Sequence, residues 1–260
     1  MTSKSIVELA DYLWDAEQTG RGVQALTELH PELSIFEAYQ VQLHNIDKKL
    51  KSGQTVTGKK IGLTSLAMQE LLGVDQPDYG HLLDSMVVEN GGEVPYSKVM
   101  QPKVEGEIAF VLKEDLVGPS ITIEDVWKAT DYVLPSIEIV DSRVKNWQIK
   151  LEDTIADNAS SGLYVLGGQP VRIADVDLKQ VKMVLKKNGS IVNTGVGAAV
   201  LGDPAYAVAW LANKLHEFGI VLKAGEVILS GALSAAVEAQ PRDTFSIEID
   251  HLGEASVTFS

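Results

Sequence analysis

The sequence predicts an α+β fold: a helical stretch over residues 1–55, then a β-rich unit over residues 56–260 that forms one compact body. Three observations predict it. Up to about residue 50 the apolar residues recur at spacings of three and four, and from about Val56 they alternate or run together in short blocks. No linker, low-complexity run or internal repeat divides the later part. The chain has 260 residues, of which 45% are hydrophobic, enough for one large core.

The first helix is expected from Ser5, with Glu8 as its capping-box partner and Ile6, Leu9, Leu13 and Trp14 on one face. A second starts at Ser34 with Glu37 three residues on. It carries Phe36, Tyr39, Leu43, Ile46 and Leu50 on its apolar side and stops at Gly53. The run KKIGLTS reads as strand then turn, followed by a short helix over Leu66–Leu72 and a loop punctuated by Gly73, Pro77 and Gly80. Val104–Leu112 alternates as a strand, Ile123–Thr130 is a short helix, and Tyr132–Val140 is an apolar strand. Asn188-Gly189 is a hairpin turn between Val181–Lys187 and Ile191–Asn193. Asp203-Pro204 opens a helix that runs through Val208, Leu211 and Leu215 to Gly219. Val227–Ser230 is a strand, and Thr244–Asp250 with Ala255–Phe259 forms a closing hairpin around Gly253.

Composition excludes several classes of function. With no cysteine, disulfides, thiolate metal sites and cysteine nucleophiles are absent. A net charge of -14 repels nucleic acid phosphates and anionic membranes, so neither is an expected partner. An anionic substrate would be repelled at long range too, and its site would need local positive charge. No apolar stretch is long enough to span a bilayer. The opening MTSKSIVELADYLWDAEQ lacks the basic start and apolar core of a signal peptide, so a cytoplasmic location is expected. The five histidines form no zinc spacing, and there is no nucleophile elbow, phosphate loop or dinucleotide fingerprint.

The residues able to carry chemistry are mostly carboxylates. Glu105 and Glu107 in KVEGEIAF are two apart on a strand, so both face one side. Two converging carboxylates repel unless a proton or cation lies between them, and oxygen ligands suit Mg²⁺ or Mn²⁺. The same spacing also arises on a solvated strand face. Glu138 in VLPSIEIVDS shares its strand side with Leu134 and Val140, where a carboxylate must be paired or metal-bound. A salt bridge to Arg143 or a nearby lysine would also meet that need. Lys60, next to Lys59, fits binding of a substrate carboxylate, proton transfer, or plain surface charge. Asp78 in DQPDYGHL fits a turn-forming loop residue. The run ADNASSG, with Asp157, Asn158, Ser160 and Ser161, could cradle a carboxylate or simply turn the chain.

Taken in order, the runs KKIGLTS, LLGVDQPDYGHLLDSM, QPKVEGEIAFVL, VLPSIEIVDSR and DNASSG resemble the 2-oxopent-4-enoate (2-hydroxypenta-2,4-dienoate) hydratases. With the 4-oxalocrotonate decarboxylases, these form one branch of the fumarylacetoacetate hydrolase superfamily. The likeness extends through LGDPAYAVAWLANKL and VILSGAL, nearly the whole chain. It implies a roll-like β core preceded by helices, and Mg²⁺ or Mn²⁺ held by Glu105, Glu107 and Glu138. It also implies a catalytic Lys60 with Asp78 nearby, and a Ser160 that helps hold the substrate. The implied activity is a metal-dependent lyase of aromatic meta-cleavage catabolism. It adds water to 2-hydroxypenta-2,4-dienoate to give 4-hydroxy-2-oxopentanoate. The alternatives are the sister decarboxylase of 4-oxalocrotonate, which would need an extra cation for its second carboxylate, and a hydratase of a longer 2-oxo diacid. A homo-oligomer is implied, as is association with a sister pathway enzyme. An acylpyruvate-type hydrolase would need a His–Glu pair, and only His81 lies near the candidate loop.

Overall fold

The computed structural model describes residues 3–66, 69–70 and 73–260. Helix α1 (Ser3–Thr19) and helix α3 (Ile35–Lys51) are the two expected N-terminal helices, linked by a single turn, α2 (Leu26–Leu29). The Ser34 hydroxyl accepts from the Glu37 amide at 3.3 Å, and the Glu37 carboxylate accepts from the Ser34 amide at 3.0 Å, so the predicted capping box closes α3. Helix α1 is already helical at Ser3, which places Ser5 inside its first turn. The helices are tied to each other by Asn45, whose side-chain amide donates to the Ala10 carbonyl at 2.9 Å.

The rest of the chain makes two mixed sheets. The larger contains β1 (Val56–Gly62), β2 (Asp78–Leu83), β3 (Val87–Val88), β5 (Lys103–Leu112), β6 (Thr130–Val140), β7 (Ser161–Leu166) and β10 (Val227–Ala232), in the order β2-β1-β10-β5-β6-β7-β3. A short strand, β11 (Val237–Glu238), also pairs with β5. The smaller sheet runs β4-β13-β12-β8-β9, made of β4 (Gly92–Val94), β8 (Lys182–Lys187), β9 (Ser190–Val196), β12 (Thr244–Ile249) and β13 (Gly253–Phe259). Helices α4 (Ile123–Ala129), α5 (Leu151–Ala156) and α6 (Pro204–His216) pack with these sheets. The α+β class is therefore as expected.

Strand alternation decides what each face of the larger sheet does. On one face Val104, Ile108 and Phe110 of β5 join Ile137 and Ile139 of β6 in a continuous core with Met183, Leu185, Phe245, Ile247 and Val257 of the smaller sheet. Helix α6, capped by Asp203, packs on β1 and β10 and adds Val208, Leu211 and Leu215 to the same core. The opposite face carries a separate apolar cluster, with Leu82, Ala109, Leu134, Tyr164 and Leu229. Along β5 and β6 that second face continues from Ala109 and Leu134 to Glu107, Ser136, Glu105 and Glu138. The charged site thus sits on the face away from the main core.

One expectation needs correction. Asp78 does not lie in a loop: it begins β2, every residue of which is buried. The Pro77 and Gly80 that signalled a loop instead flank or lie within a strand pairing antiparallel with β1. Residues 151–156, to which the sequence pattern assigns no element, form helix α5. The short helix expected over Leu66–Leu72 falls mostly outside the described residues, of which Leu66, Gln69 and Glu70 are helical.

Phe110 is fully buried between the two sheets. Phe110→Ala is expected to destabilise the fold by about 3–5 kcal/mol, the scale of truncating a core aromatic. Urea unfolding should read this as a lower midpoint at unchanged slope. A shift below about 1 kcal/mol would mean that the core closes over the void.

Candidate metal centre

Register brings the carboxylates together. In the antiparallel β5–β6 pair, Glu105 lies directly opposite Glu138, and Glu107 opposite Ser136. Side chains opposed in this way share a face, with their Cβ atoms about 5 Å apart. The ligand oxygens of Glu105, Glu107 and Glu138 accordingly lie within 4.8 Å of one another. Glu107 and Glu138 are fully buried and Glu105 is half-buried, which rules out a solvated strand face.

Each buried carboxylate is only half satisfied. Glu107 accepts from the Gly231 amide at 2.8 Å, and Glu138 accepts from the Ser161 hydroxyl at 3.3 Å. The second oxygens, Glu107 Oε1 and Glu138 Oε2, are buried with no hydrogen-bond partner. An orphaned carboxylate oxygen is costly, and a hard cation among three such groups would remove the cost. Without one, burial and the neighbouring Glu138 push the Glu105 carboxyl up to about 7. Burial, Glu138 and Glu105 push Glu107 well above the usual carboxylate range. Burial also raises Glu138, against the pull of Lys60. The donor set, all oxygen and all anionic, fits a divalent cation of the magnesium kind.

Strands β1 and β2 supply the opposite wall. Their register pairs Lys60 with Gly80 and Gly62 with Asp78, which puts Lys60 and Asp78 on the face of the carboxylates. Lys60 Nζ stands 3.3 Å from Glu138 Oε1 and donates to the Ala159 carbonyl at 3.1 Å. Burial favours its neutral form, but Glu138, Asp78, Glu105 and Glu107 outweigh burial and hold it charged above the ordinary lysine range. Burial raises the Asp78 carboxyl, opposed by Lys60 and by the Thr154 hydroxyl, which donates to it at 3.3 Å. A Cβ on Gly62 would fall 2.2 Å from Asp78 Oδ1 and 3.3 Å from Lys60 Nζ, so the pair fits only over a bare Cα. Ser160 Oγ lies 3.3 Å from Thr154 Oγ1 and 3.4 Å from Asp157 Oδ2, linked to Asp78 through Thr154.

Other charged candidates point elsewhere. Lys59, one residue away, faces the opposite side and pairs with Glu226 at 3.2 Å. His81 also alternates away from Asp78. Its Nδ1 meets the Gln42 side-chain oxygen at 3.1 Å, and burial, helped by Lys59, lowers its pKa well below the usual histidine value. Its ring partner is an amide rather than a carboxylate, so no His–Glu pair for a hydrolase forms there. Arg143 pairs with Asp157, and the lysine beside Glu138 is Lys60. Sequence reasoning missed Thr154, which rides on the unexpected α5, and the Gly231 amide, exposed where the β10–β5 register shifts between Leu229 and Ala232.

Residues 65–260 match the family model described as fumarylacetoacetate (FAA) hydrolase C-terminal. Over 263 residues the chain is 47% identical to a 2-hydroxyhexa-2,4-dienoate hydratase of Comamonas testosteroni, covering 100% of both chains. It is 49% identical over 221 residues to a 2-hydroxypent-2,4-dienoate hydratase of Pseudomonas putida, covering 85% of this chain and 100% of that one. Among solved structures, the 4-oxalocrotonate decarboxylase from Pseudomonas putida G7, complexed with magnesium and adipate, matches with a TM-score of 0.97 at 39% identity, covering 100% of this chain and 99% of that one.

The raised carboxyls have a consequence for the metal-free chain. Glu105 and Glu107 bind a proton more tightly when folded than when unfolded. Their contribution to stability is therefore full below the unfolded value near 4.5 and is lost as pH rises through the folded values. His81, whose pKa is lowered, is neutral in both states above about pH 6.5 and adds no slope there. In chelator, the melting temperature is expected to fall between about pH 6.5 and 8. A flat or rising melting temperature over that range would contradict the assignment.

Proposed function

This chain belongs to the fumarylacetoacetate hydrolase family, and from that premise we propose that it is a metal-dependent hydro-lyase of aromatic meta-cleavage catabolism. It converts 2-hydroxypenta-2,4-dienoate and water to 4-hydroxy-2-oxopentanoate. The observation that carries the reading is the meeting, on one sheet face, of three carboxylates with orphaned oxygens and a buried, charged lysine 3.3 Å from one of them.

In this reading Glu105, Glu107 and Glu138 hold Mg²⁺, or Mn²⁺ in its place. Held there, the cation would offset the negative charge that develops on the substrate's 2-oxygen. The chain's own residues move the protons. Ketonisation of the dienol removes the proton of the 2-hydroxyl and delivers one to C5, which leaves an α,β-unsaturated ketone. The oxygen of water then bonds to C4 and a proton goes to C3. Lys60 and Asp78 are the candidates for these transfers: Lys60 Nζ lies 3.3 Å from Glu138 Oε1, and Asp78 shares its sheet face. The Ser160 hydroxyl helps hold the substrate.

The sister reaction, decarboxylation of 4-oxalocrotonate, needs a place for a second carboxylate. Among the described residues the buried cations are Lys59, Lys60 and Arg143. Lys59 is paired with Glu226 and Arg143 with Asp157, so Lys60 is the buried cation that faces the centre, while half-buried Lys103, on the same face of β5, lies over the Trp147 ring. That favours a monoacid. A dienol one carbon longer, 2-hydroxyhexa-2,4-dienoate, is the second reading, favoured by the full-length relative named above. The protein works as a homo-oligomer in this proposal, supported by the edge strand β9, which exposes Ile191, Val192 and Val196. Association with a sister pathway enzyme belongs to the same proposal. Among the described residues no helix is long and apolar enough to cross a membrane.

Freshly generated 2-hydroxypenta-2,4-dienoate should lose its dienol absorbance with Mg²⁺ and yield 4-hydroxy-2-oxopentanoate, and chelator should stop the reaction. Release of CO₂ from 4-oxalocrotonate without hydration of the dienoate would move the chain to the decarboxylase branch. Glu107→Gln and Glu138→Gln should each lower kcat/KM by about 100-fold or more, the scale of losing an electrostatic contact to developing charge. Calorimetry should find Mg²⁺ binding weakened in parallel. Near-normal turnover with metal bound in either variant would remove that glutamate from the ligand set.

A further inference from the structure

The turn Asn158–Ser160 carries backbone strain beside the centre. Asn158, Ala159 and Ser160 have φ of 57°, 51° and 48°, three consecutive non-glycine residues in the left-handed region, where Cβ crowds the following carbonyl. This turn nevertheless makes the contacts that place the site's side chains. Ala159 offers its carbonyl to Lys60 Nζ at 3.1 Å. The next residue, Ser161, donates its hydroxyl to Glu138 at 3.3 Å. Ser160 Oγ meets Thr154 Oγ1 at 3.3 Å, and Thr154 in turn donates to Asp78 at 3.3 Å.

What holds the turn lies outside it. Asp157, buried just before the strained residues, accepts from the Arg143 amide at 2.9 Å and from the Ser142 hydroxyl at 3.1 Å, and also takes Arg143 Nε. The guanidinium then reaches across the turn. Its Nη2 donates to the Asp157 carbonyl, and its Nη1 donates to the Ser161 carbonyl at 2.9 Å. One planar group therefore grips the chain both before and after the three left-handed residues, a task for a rigid fork of donors that a lysine cannot reproduce. The Asn158 side chain pins the turn to β2: it accepts from the His81 amide at 2.8 Å and donates to the His81 carbonyl at 2.9 Å. The turn can lie there because a Cβ on Gly80 would come within 2.3 Å of the Asn158 carbonyl, and Gly80 has none.

We propose that Arg143 and Asp157 are positioning residues whose ion pair clamps this left-handed turn, and that the clamp sets Lys60 and, through Thr154, Asp78 in place for proton transfer. The second half of the proposal rests on the reading of Lys60 given above, whereas the clamp itself can be tested without it.

Arg143→Lys keeps the charge and loses the fork. It should lower kcat by about 10- to 100-fold, the scale of a small misplacement of reacting groups, with KM changed by less than about threefold. Mg²⁺ affinity, measured by calorimetry, should change little, because the three glutamates ride on β5 and β6. Ala159→Gly added to Arg143→Lys should recover about fivefold in kcat, since glycine adopts the left-handed conformation without a Cβ clash. In the metal-free protein, amide hydrogen exchange of peptides spanning 157–162 should be faster in Arg143→Lys, with peptides from β5 and β6 unchanged. Unchanged kcat and exchange in a folded Arg143→Lys protein would overturn the clamp. So would exchange that rises across the whole sheet with no recovery from Ala159→Gly, because Arg143 would then only support the fold. If Arg143→Lys does not fold, Asp157→Asn carries the same comparison. If the wild-type chain does not hydrate the dienoate, the functional reading fails while the exchange experiment still decides the clamp.

Discussion

Like-charge repulsion inside a buried strand pair is the constraint on which the rest of this structure turns. The β5–β6 register sets three carboxylates within 4.8 Å of one another, two of them shut away from water. No arrangement of that kind is stable with all three ionised and uncompensated. The surroundings answer with Lys60 on one side, the Gly231 amide and Ser161 hydroxyl on another, and two oxygens left for a cation. The main core takes the far face of the same strands, so the apolar packing that holds β5 and β6 rigid does not compete with the charge.

A second set of contacts surrounds the first. Lys60 is aimed by a carbonyl of the turn that joins α5 to β7, and Asp78 by a threonine on α5 that meets the same turn at Ser160. Short, buried hydroxyls and two backbone groups make these contacts, which suits a site whose protons must move over short, constant distances. Glycine recurs where two such elements approach, at Gly62 under the Lys60–Asp78 pair and at Gly80 under Asn158.

Much of this was legible in the sequence, and the limits have physical causes. The alternation in KVEGEIAF and the apolar setting of Glu138 marked carboxylates on strand faces, since the period of two fixes which residues share a side. Pattern alone left Lys60 open between a site residue and plain surface charge, because only the partner strands tell which side of β1 is buried against the carboxylates. Asp78 was read as a loop residue because Pro77, Asp78 and Gly80 all have low strand propensity. Two of them are explained by the site: Asp78 faces Lys60, and Gly80 makes room for the turn. Helix α5 is too short for a period to show. The opposition of Glu105 to Glu138 depends on register between strands about thirty residues apart, which no local pattern records.

The place of β10 in the larger sheet has a further meaning. Residues 227–232 lie between β1 and β5, two strands laid down much earlier in the chain. Until that late segment arrives, Lys60 and Glu107 belong to strands with no shared neighbour, and the Gly231 amide that meets Glu107 is missing. A growing polypeptide can therefore carry all three glutamates and the lysine well before it can line them up. Assembly of the centre is coupled to long-range strand insertion, a slow and cooperative event. The final quarter of the chain, which contributes no carboxylate to the cluster, acts as the keystone that turns a set of residues into a working centre.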